Sequence, residues 1–279
     1  QRTISRKIHR RMNRYTDFLR IATLPMPIAW GDRNANIAFV EQALSSLPEK
    51  TDIVVLPELF TTGYSDDPET MAELAERNTG DTVDTLRRWA SRYGCAFAGS
   101  FLASTPPHYY NRGFIIEPNG DETFYDKRHL FSLSNEARMF APGTTPPPVV
   151  RFRGWNISLI VCYDLRFPVW CRSRRNSYDL LLVVANWPKA RGYAFEHLLI
   201  ARAIENQCAV VGANRGGSDA YGDYSGLSFI FDCRGYSAGT PAGDTPWLTA
   251  DLSRLQQEKF RSAFPVSADA DDFNLTDRL

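Results

Sequence analysis

The sequence lacks the features that mark several large classes of protein. Its 32 basic and 32 acidic side chains leave no formal net charge, which argues against a dedicated nucleic-acid partner. No apolar run approaches the roughly 20 residues that a membrane-spanning helix needs, so no membrane partner is expected. Periodic glycine, heptads and repeats of solenoid length are also missing. Fibrous, coiled-coil and repeat architectures are therefore excluded.

Metal and disulfide patterns are missing as well. The 5 cysteines are scattered without a CxxC pair, and the 4 histidines lie far apart without an HExxH motif. We therefore expect no metal and no other cofactor. An odd number of free thiols is typical of a reducing compartment, so a cytoplasmic location is the simplest expectation.

What remains is an ordinary globular composition. The chain has 279 residues, of which 43% are hydrophobic and 13% aromatic, enough to bury a large core. Residues 1–17 differ, because six Lys or Arg precede the first acidic residue, Asp17. Such a basic segment suits an organelle transit peptide, but its weak periodicity favours a plain N-terminal extension or an upstream start, with Met12 as the initiator. Residues 18–279 are predicted to form a single domain.

The pattern from residue 19 onward predicts an α/β fold. Short apolar runs at 53–56, 96–101, 157–162, 180–185 and 209–213 are typical of strands that are buried on both faces. Helical spacing predicts helices around 37–47 and 83–93, with Asp81 or Thr82 as a cap for the second, and over 192–207. An Asn-Gly turn at 119–120 predicts a hairpin of 113–117 with 122–125. Residues 228–232 and 247–251 look like a second hairpin pair.

Polar residues end three of the apolar runs. Glu58, Cys162 and the Asn186-Trp187 pair follow them, and carboxyl ends of parallel strands meet at one edge of a sheet. A thiol needs a base to become a nucleophile, which a Glu can supply, and an ammonium such as Lys127 can hold an oxyanion. Taken singly, each of these residues is more often structural: a buried thiol or a solvated charge.

Their flanking motifs change that assessment. LPELF at 56–60, YDKRHLF at 125–131, VCYDLRFP at 161–168, NWP at 186–188 and ARAIENQ at 201–207 occur in this order. The set resembles the nitrilase superfamily of carbon–nitrogen hydrolases over residues 19–273. Within it, ELFTTGY at 58–64, NRGGSD at 214–219 and FPVSADADDF at 264–273 are most similar to the ω-amidase branch.

The resemblance implies an α-β-β-α sandwich of two mixed sheets flanked by helices, usually a homodimer or higher homo-oligomer. It also implies roles by position: Glu58 as general base, Lys127 as oxyanion stabiliser and Cys162 as nucleophile. Glu136 corresponds to a second glutamate that positions the lysine or substrate, and the Tyr163 backbone N–H to the second oxyanion donor. The implied substrate is a small amide, the ω-amide of a short dicarboxylate monoamide such as 2-oxoglutaramate.

A pocket for this substrate must bind the distal carboxylate, which favours Arg, Lys or Tyr in its lining. Arg166 is one candidate, although an ion pair within its loop is equally compatible. Phe60, Tyr64 and Trp187 are candidates for the pocket walls. Asp164 is read as a group that hydrogen-bonds the loop rather than as a catalytic acid.

Three rival interpretations stay open. His129 lies two residues after Lys127, so it could share a strand face with it and serve as the base of a Cys–His hydrolase. A sibling activity, on a nitrile or an N-carbamoyl amino acid, would use the same three side chains. A non-catalytic binding module on the same fold is the third, and it would be expected to have lost one of them.

Overall fold

The structure is a computed structural model that describes residues 17–275. The basic segment predicted at residues 1–17 lies outside the described residues except for Asp17. The strands are β1 Phe18–Thr23, β2 Ile53–Val55, β3 Ala96–Thr105, β4 His108–Ile116, β5 Glu122–Asp126, β6 Val149–Phe152, β7 Trp155–Val161, β8 Leu180–Ala185, β9 Ala209–Asn214, β10 Gly216–Asp219, β11 Gly222–Ser225, β12 Phe229–Phe231, β13 Thr240–Pro241 and β14 Leu248–Ser253. The α-helices are α1 Arg33–Leu44, α2 Pro68–Leu74, α3 Asp81–Tyr93, α4 Glu136–Met139, α5 Gly192–Asn206 and α6 Arg254–Ala263.

The strands form two mixed sheets that pack face to face. The first has seven strands in the order β13-β14-β1-β2-β3-β4-β5, and the second has five in the order β12-β9-β8-β7-β6. Side chains alternate between strand faces, so Val55 of β2 and Val184 of β8 point into the core between the sheets, while Val54 and Val183 point outward. Both faces are buried, which explains the continuous apolar runs in the sequence.

Helices cover the two outer faces. Helices α1 and α3 pack on the first sheet through residues such as Val40 and Leu86. Helix α5 packs on the second sheet through Phe195, Leu199 and Ala203. The expected α-β-β-α sandwich is confirmed, and every predicted strand and helix is present with bounds that differ by a few residues.

Two local predictions are wrong. The segments around 228–232 and 247–251 do not pair with each other, because β12 pairs with β9 in one sheet and β14 with β1 in the other. Alternating patterns show that both are strands but carry no information about long-range partners. The N-cap of α3 is Gly80 rather than Asp81 or Thr82, and the Thr82 hydroxyl and N–H instead donate to Glu76.

Within residues 17–275, every helix is too short or too polar to cross a bilayer.

Candidate active site

Glu58 lies in the turn after β2 and points into the space where the two sheets meet. Its side chain is 4% exposed. Oε1 accepts hydrogen bonds from Asn111 Nδ2 at 2.6 Å and Lys127 Nζ at 3.0 Å, and Oε2 accepts one from the backbone N–H of Asn186 at 2.7 Å. The next residue, Leu59, has a left-handed φ of 48°, and its N–H is held by Ser100 Oγ at 2.9 Å. The orientation of this carboxylate is therefore fixed from several elements.

Lys127 follows β5 and is 3% exposed. Its Nζ lies 2.6 Å from Glu136 Oε1 as well as 3.0 Å from Glu58 Oε1. Glu136 begins α4, and its other oxygen accepts from the Phe131 N–H at 2.6 Å. Burial opposes the charge of Lys127, but the carboxylates of Glu136 and Glu58 outweigh it and raise the pKa of the ammonium well above its usual value. Lys127 is therefore a permanent cation beside Cys162.

Cys162 ends β7 at a sharp turn into a 3₁₀ helix, Cys162–Arg166. Its φ of 47° lies in the left-handed region, which a residue with a Cβ adopts only under local constraint. The turn places the half-buried Cys162 directly after the carboxyl end of β7. Burial and the nearby Glu58 raise the pKa of the thiol well above its usual value, while Lys127 opposes this shift. The resting group is therefore a thiol that needs a base.

A hydrogen-bond network behind the turn holds it in place. Asp164 is fully buried and accepts from the Val161 N–H at 3.2 Å, Tyr125 Oη at 2.8 Å and the His129 N–H at 2.9 Å. The His129 Nδ1 also lies 2.7 Å from Asp164 Oδ1, and its ring stacks on Phe167 at 3.8 Å. Asp164 is thus the loop-bonding group that the sequence predicts.

Glu58, Lys127, Cys162 and Glu136 open onto one cavity of about 290 Å³. The rest of its lining is largely aromatic and cationic: Tyr64, Phe131, Ser134, Tyr163, Arg166, Asn186, Trp187, Pro188, Arg191, Tyr221 and Tyr224. His129 is not among these lining residues, and its ring contacts Asp164 and Phe167 instead, an arrangement that does not support the Cys–His interpretation. Among residues 17–275, no cluster of three or more His, Cys, Asp or Glu side chains is arranged to hold a metal ion.

Comparison with known proteins agrees with this geometry. Residues 20–259 match the model of the carbon–nitrogen hydrolase family. The chain belongs to this family. It is 41% identical to the ω-amidase YafV of Yersinia enterocolitica over 92% of this chain and 98% of that protein. It is 31% identical to the 2-oxoglutaramate amidase of Bacillus subtilis, over 89% and 96% respectively.

The solved structure of XC1258 from Xanthomonas campestris, a member of the same superfamily with an arsenic adduct in its active site, superposes with a TM-score of 0.87. The two chains are 38% identical, and the match covers 93% of this chain and 99% of that one. The membership and the similarity to ω-amidases that the motifs predicted are confirmed.

In this carbon–nitrogen hydrolase the two sheets contribute different parts of the site. Strands β7 and β8 are parallel neighbours and bring Cys162 and Asn186 to one edge. Strand β2 belongs to the other sheet, so Glu58 reaches the site across the sandwich rather than along a shared edge. The condition of parallel neighbours therefore holds for β7 and β8 but not for β2, because sequence order does not reveal in which sheet a strand lies.

Three of the four residues expected to contact substrate line the hydrolase cavity: Tyr64, Arg166 and Trp187. Burial raises the pKa of Tyr64 to about 12, so it is a neutral phenol. The prediction that Phe60 lines the cavity is wrong. It is fully buried in the core beneath the first sheet, in edge contact with Phe114 at 5.9 Å between ring centroids. Regular alternation would place Glu58 and Phe60 on the same face, but the left-handed φ of 48° at Leu59 breaks the extended backbone between them, so Phe60 enters the core while Glu58 faces the cavity.

Sequence reasoning missed Arg191 and the tyrosines of the β10–β11 ribbon. Arg191 ends the 3₁₀ turn before α5, and its guanidinium lies over Phe131, 4.8 Å from the ring centroid. Arg166 lies in the same way over Trp187, at 5.1 Å. Neither arginine has a carboxylate partner among residues 17–275. The alternative role of Arg166, an ion pair within its loop, would have required one. The sequence signal that could have indicated Arg191 is its position three residues after the NWP motif at 186–188.

The β10–β11 ribbon closes one side of the mouth. It carries Tyr221 and Tyr224, and Tyr221 Oη donates to Asp66 at 2.6 Å while its ring meets the edge of Tyr64. A buried ion pair between Arg215 and Asp219 holds the base of the ribbon. These residues are far apart in the sequence, so only the fold brings them to the cavity.

Proposed function

We propose that this hydrolase cleaves the ω-amide of a short dicarboxylate monoamide, such as 2-oxoglutaramate, to the acid and ammonia. One observation carries the proposal: a cavity in which Glu58, Lys127 and Cys162 converge also holds two arginines without carboxylate partners. Guanidinium groups suit a carboxylate, because they offer paired donors. The names of the two amidase relatives support the same substrate class.

In the proposed mechanism Glu58 takes the Cys162 thiol proton as Sγ attacks the amide carbon. Lys127 and the Tyr163 N–H stabilise the oxyanion, and Glu136 holds Lys127 in place. Protonated Glu58 then gives its proton to the amide nitrogen, the C–N bond breaks, and ammonia leaves a thioester. Water attacks the thioester with Glu58 again as base, the C–S bond breaks, and the thiol and the free acid are restored.

The direct test is ammonia release by the Cys162→Ala variant. It should fall by at least about 10³-fold, since covalent catalysis is removed, while the melting temperature stays near that of the unmodified protein. Retained turnover would contradict the proposed nucleophile. A Cys95→Ala variant is the matched control, because Cys95 is a buried thiol far from the cavity in the core under the first sheet.

A substrate panel separates the sibling activities. We expect ammonia release from 2-oxoglutaramate and 2-oxosuccinamate to exceed that from a simple nitrile and an N-carbamoyl amino acid. Arg166→Met and Arg191→Met should each raise KM for the monoamides by about 10-fold or more, the size of a lost charged hydrogen bond, with a smaller effect on an uncharged amide. Equal effects on both would contradict carboxylate binding, and no turnover of any amide would favour the non-catalytic module.

We also propose a cytoplasmic homodimer. Exposed side chains cluster on α5 and the segment beside it: Tyr193 is 77% exposed, Ile204 53% and Tyr236 69%. A contiguous exposed apolar patch marks an interaction surface, and the proposal takes these three side chains as parts of one such patch. Tyr193→Glu together with Ile204→Glu should convert the protein to a monomer in light scattering. A monomeric mass for the unmodified protein would contradict the proposal.

A further inference from the structure

Asn186 has a side-chain amide that no group among residues 17–275 satisfies. It follows β8 and lines the active-site cavity. Both Oδ1 and Nδ2 are buried, and neither has a hydrogen-bond partner. Its position is nevertheless fixed, because its backbone N–H donates to Glu58 Oε2 at 2.7 Å. A buried polar group without a partner is rare and requires an explanation.

The other buried asparagines in the described part of the chain form hydrogen bonds through both the oxygen and the nitrogen of their side chains. Asn111 accepts from Ser100 Oγ and donates to Glu58. Asn214 accepts from the Trp187 N–H at 2.7 Å and donates to the Trp187 carbonyl at 3.1 Å. Asn36 accepts from the Ala29 N–H and donates to two carbonyls. Of these asparagines, Asn186 alone has both side-chain atoms unpaired, and it lines the cavity that holds Glu58 and Cys162.

The chemistry of the proposed substrate identifies its partner. A 2-oxo acid ω-amide carries several acceptor oxygens, but its only N–H donors are those of the amide being cleaved. The cavity is rich in donors: Lys127, Arg166, Arg191 and the Tyr64 phenol. Its carboxylates already accept hydrogen bonds. Glu58 accepts from Lys127, and Glu136 accepts from both Lys127 and the Phe131 N–H. Asn186 Oδ1 is the buried amide oxygen left to accept from the substrate nitrogen.

We propose that Asn186 Oδ1 accepts a hydrogen bond from the N–H of the scissile amide, so that Asn186 favours amides over esters and orients the leaving nitrogen toward Glu58. This inference rests on the proposed function. The anchored backbone N–H places the Asn186 side chain next to the base that protonates this nitrogen.

The first test compares an amide with an ester. The monomethyl ω-ester of 2-oxoglutarate has the same acid part and no N–H in its leaving group. Asn186→Leu should lower kcat/KM for 2-oxoglutaramate by about 10- to 100-fold, which corresponds to about 1.4–2.7 kcal/mol, and that for the ester by less than about 3-fold. Equal losses on both substrates, or no loss on the amide, would overturn the inference.

The second test measures stability. Leu has nearly the shape of Asn and removes two unsatisfied polar atoms, so the melting temperature of Asn186→Leu should be unchanged or higher. The matched control is Asn214→Leu, which removes two formed hydrogen bonds and should lower the melting temperature. A similar drop in both variants would make Asn186 a structural residue and overturn the inference.

The outcome also separates this inference from the proposed function. If the unmodified protein hydrolyses 2-oxoglutaramate and Asn186→Leu loses amide and ester turnover equally, only the role of Asn186 fails. If the unmodified protein cleaves no amide, both proposals fail together.

Discussion

At the scale of single residues, the site is an arrangement of charges that keeps its nucleophile protonated. Two carboxylates, Glu58 and Glu136, flank one ammonium, Lys127. Burial and Glu58 oppose ionisation of Cys162, whereas Lys127 favours it. The thiolate therefore forms only as its proton moves to Glu58, which couples nucleophile formation to the presence of substrate.

This balance predicts opposite effects of one substitution on two reactions. Glu58→Gln removes a negative charge beside Cys162, so the pKa of the thiol should fall. Alkylation of the thiol by iodoacetate at pH 7.5, an assay condition, should then become several-fold faster. The reason is that each pKa unit changes the thiolate fraction about tenfold at pH values below the pKa. Amide hydrolysis should be lost, because the base is gone. Slower alkylation, or retained hydrolysis, would contradict the assignment.

The pH dependence of labelling follows from the same shift. Because the pKa of Cys162 is raised, the rate of alkylation should still increase with pH between about 7 and 9, and should not level off near neutrality as it does for a thiol with a lowered pKa. Labelling is followed by mass spectrometry of the peptide that contains Cys162. A plateau below about pH 8 would show that Lys127 outweighs burial and Glu58.

At the scale of elements, the loop after α4 is constrained by a close approach to β5. A Cβ added to Gly143 would lie 1.9 Å from the Asp126 carbonyl oxygen, and the Gly143 N–H donates to the Lys127 carbonyl at 2.9 Å. Gly143→Ala should therefore cost about 2 kcal/mol or more in the free energy of unfolding and lower kcat by moving Lys127.

Urea denaturation and ammonia release measure the two effects. Gly192 provides the control, because a Cβ there meets nothing within 4 Å and its φ of −56° suits any residue. Gly192→Ala should be neutral or stabilising by up to about 1 kcal/mol. Equal stability of the two variants would contradict the close packing at Gly143.

The ribbon at the cavity mouth depends on a buried ion pair. Arg215 is 1% and Asp219 3% exposed, and Arg215 also donates to the Ile28 carbonyl and lies over the Tyr224 ring. Asp219→Ala leaves a buried cation unpaired and should cost about 3–5 kcal/mol, with a raised KM since Tyr221 and Tyr224 move.

The matched control is the exposed pair of Arg175 and Asp272, with side chains 82% and 64% exposed. Asp272→Ala should cost no more than about 1 kcal/mol. Chemical denaturation measures both variants, and a small cost for Asp219→Ala would show that the ribbon is held by other contacts.

At the scale of the whole molecule, the central core is shared by the two sheets. Its buried side chains come from β1, β2 and β3 on one side and from β7, β8 and β9 on the other. The proposed catalytic residues are divided in the same way, with Glu58 and Lys127 following strands of the first sheet and Cys162 following a strand of the second. Neither sheet buries its inner face without the other, so the site exists only in the assembled sandwich.

This sharing predicts one cooperative unfolding transition for residues 18–279, as expected of a single domain. Far-UV circular dichroism and tryptophan fluorescence should give coincident urea curves, since Trp155 belongs to the central core and Trp247 to the core under the first sheet. Loss of ammonia release should follow the same curve. Two separated transitions would contradict the prediction of one domain.

The sequence by itself predicted the secondary structure and supplied the proposed reacting groups. Buried strands can be predicted because both of their faces are apolar. Cys162, Glu58 and Lys127 can be proposed because each stands within a sequence motif and supplies a group that amide hydrolysis needs. The tertiary structure alone decided which sheet each strand joins, that Phe60 turns into the core, that His129 is held by Asp164, and that Arg191 and Asn186 reach the cavity. These depend on contacts between residues far apart in the chain, and local spacing encodes a side chain's face but not the partner that it meets.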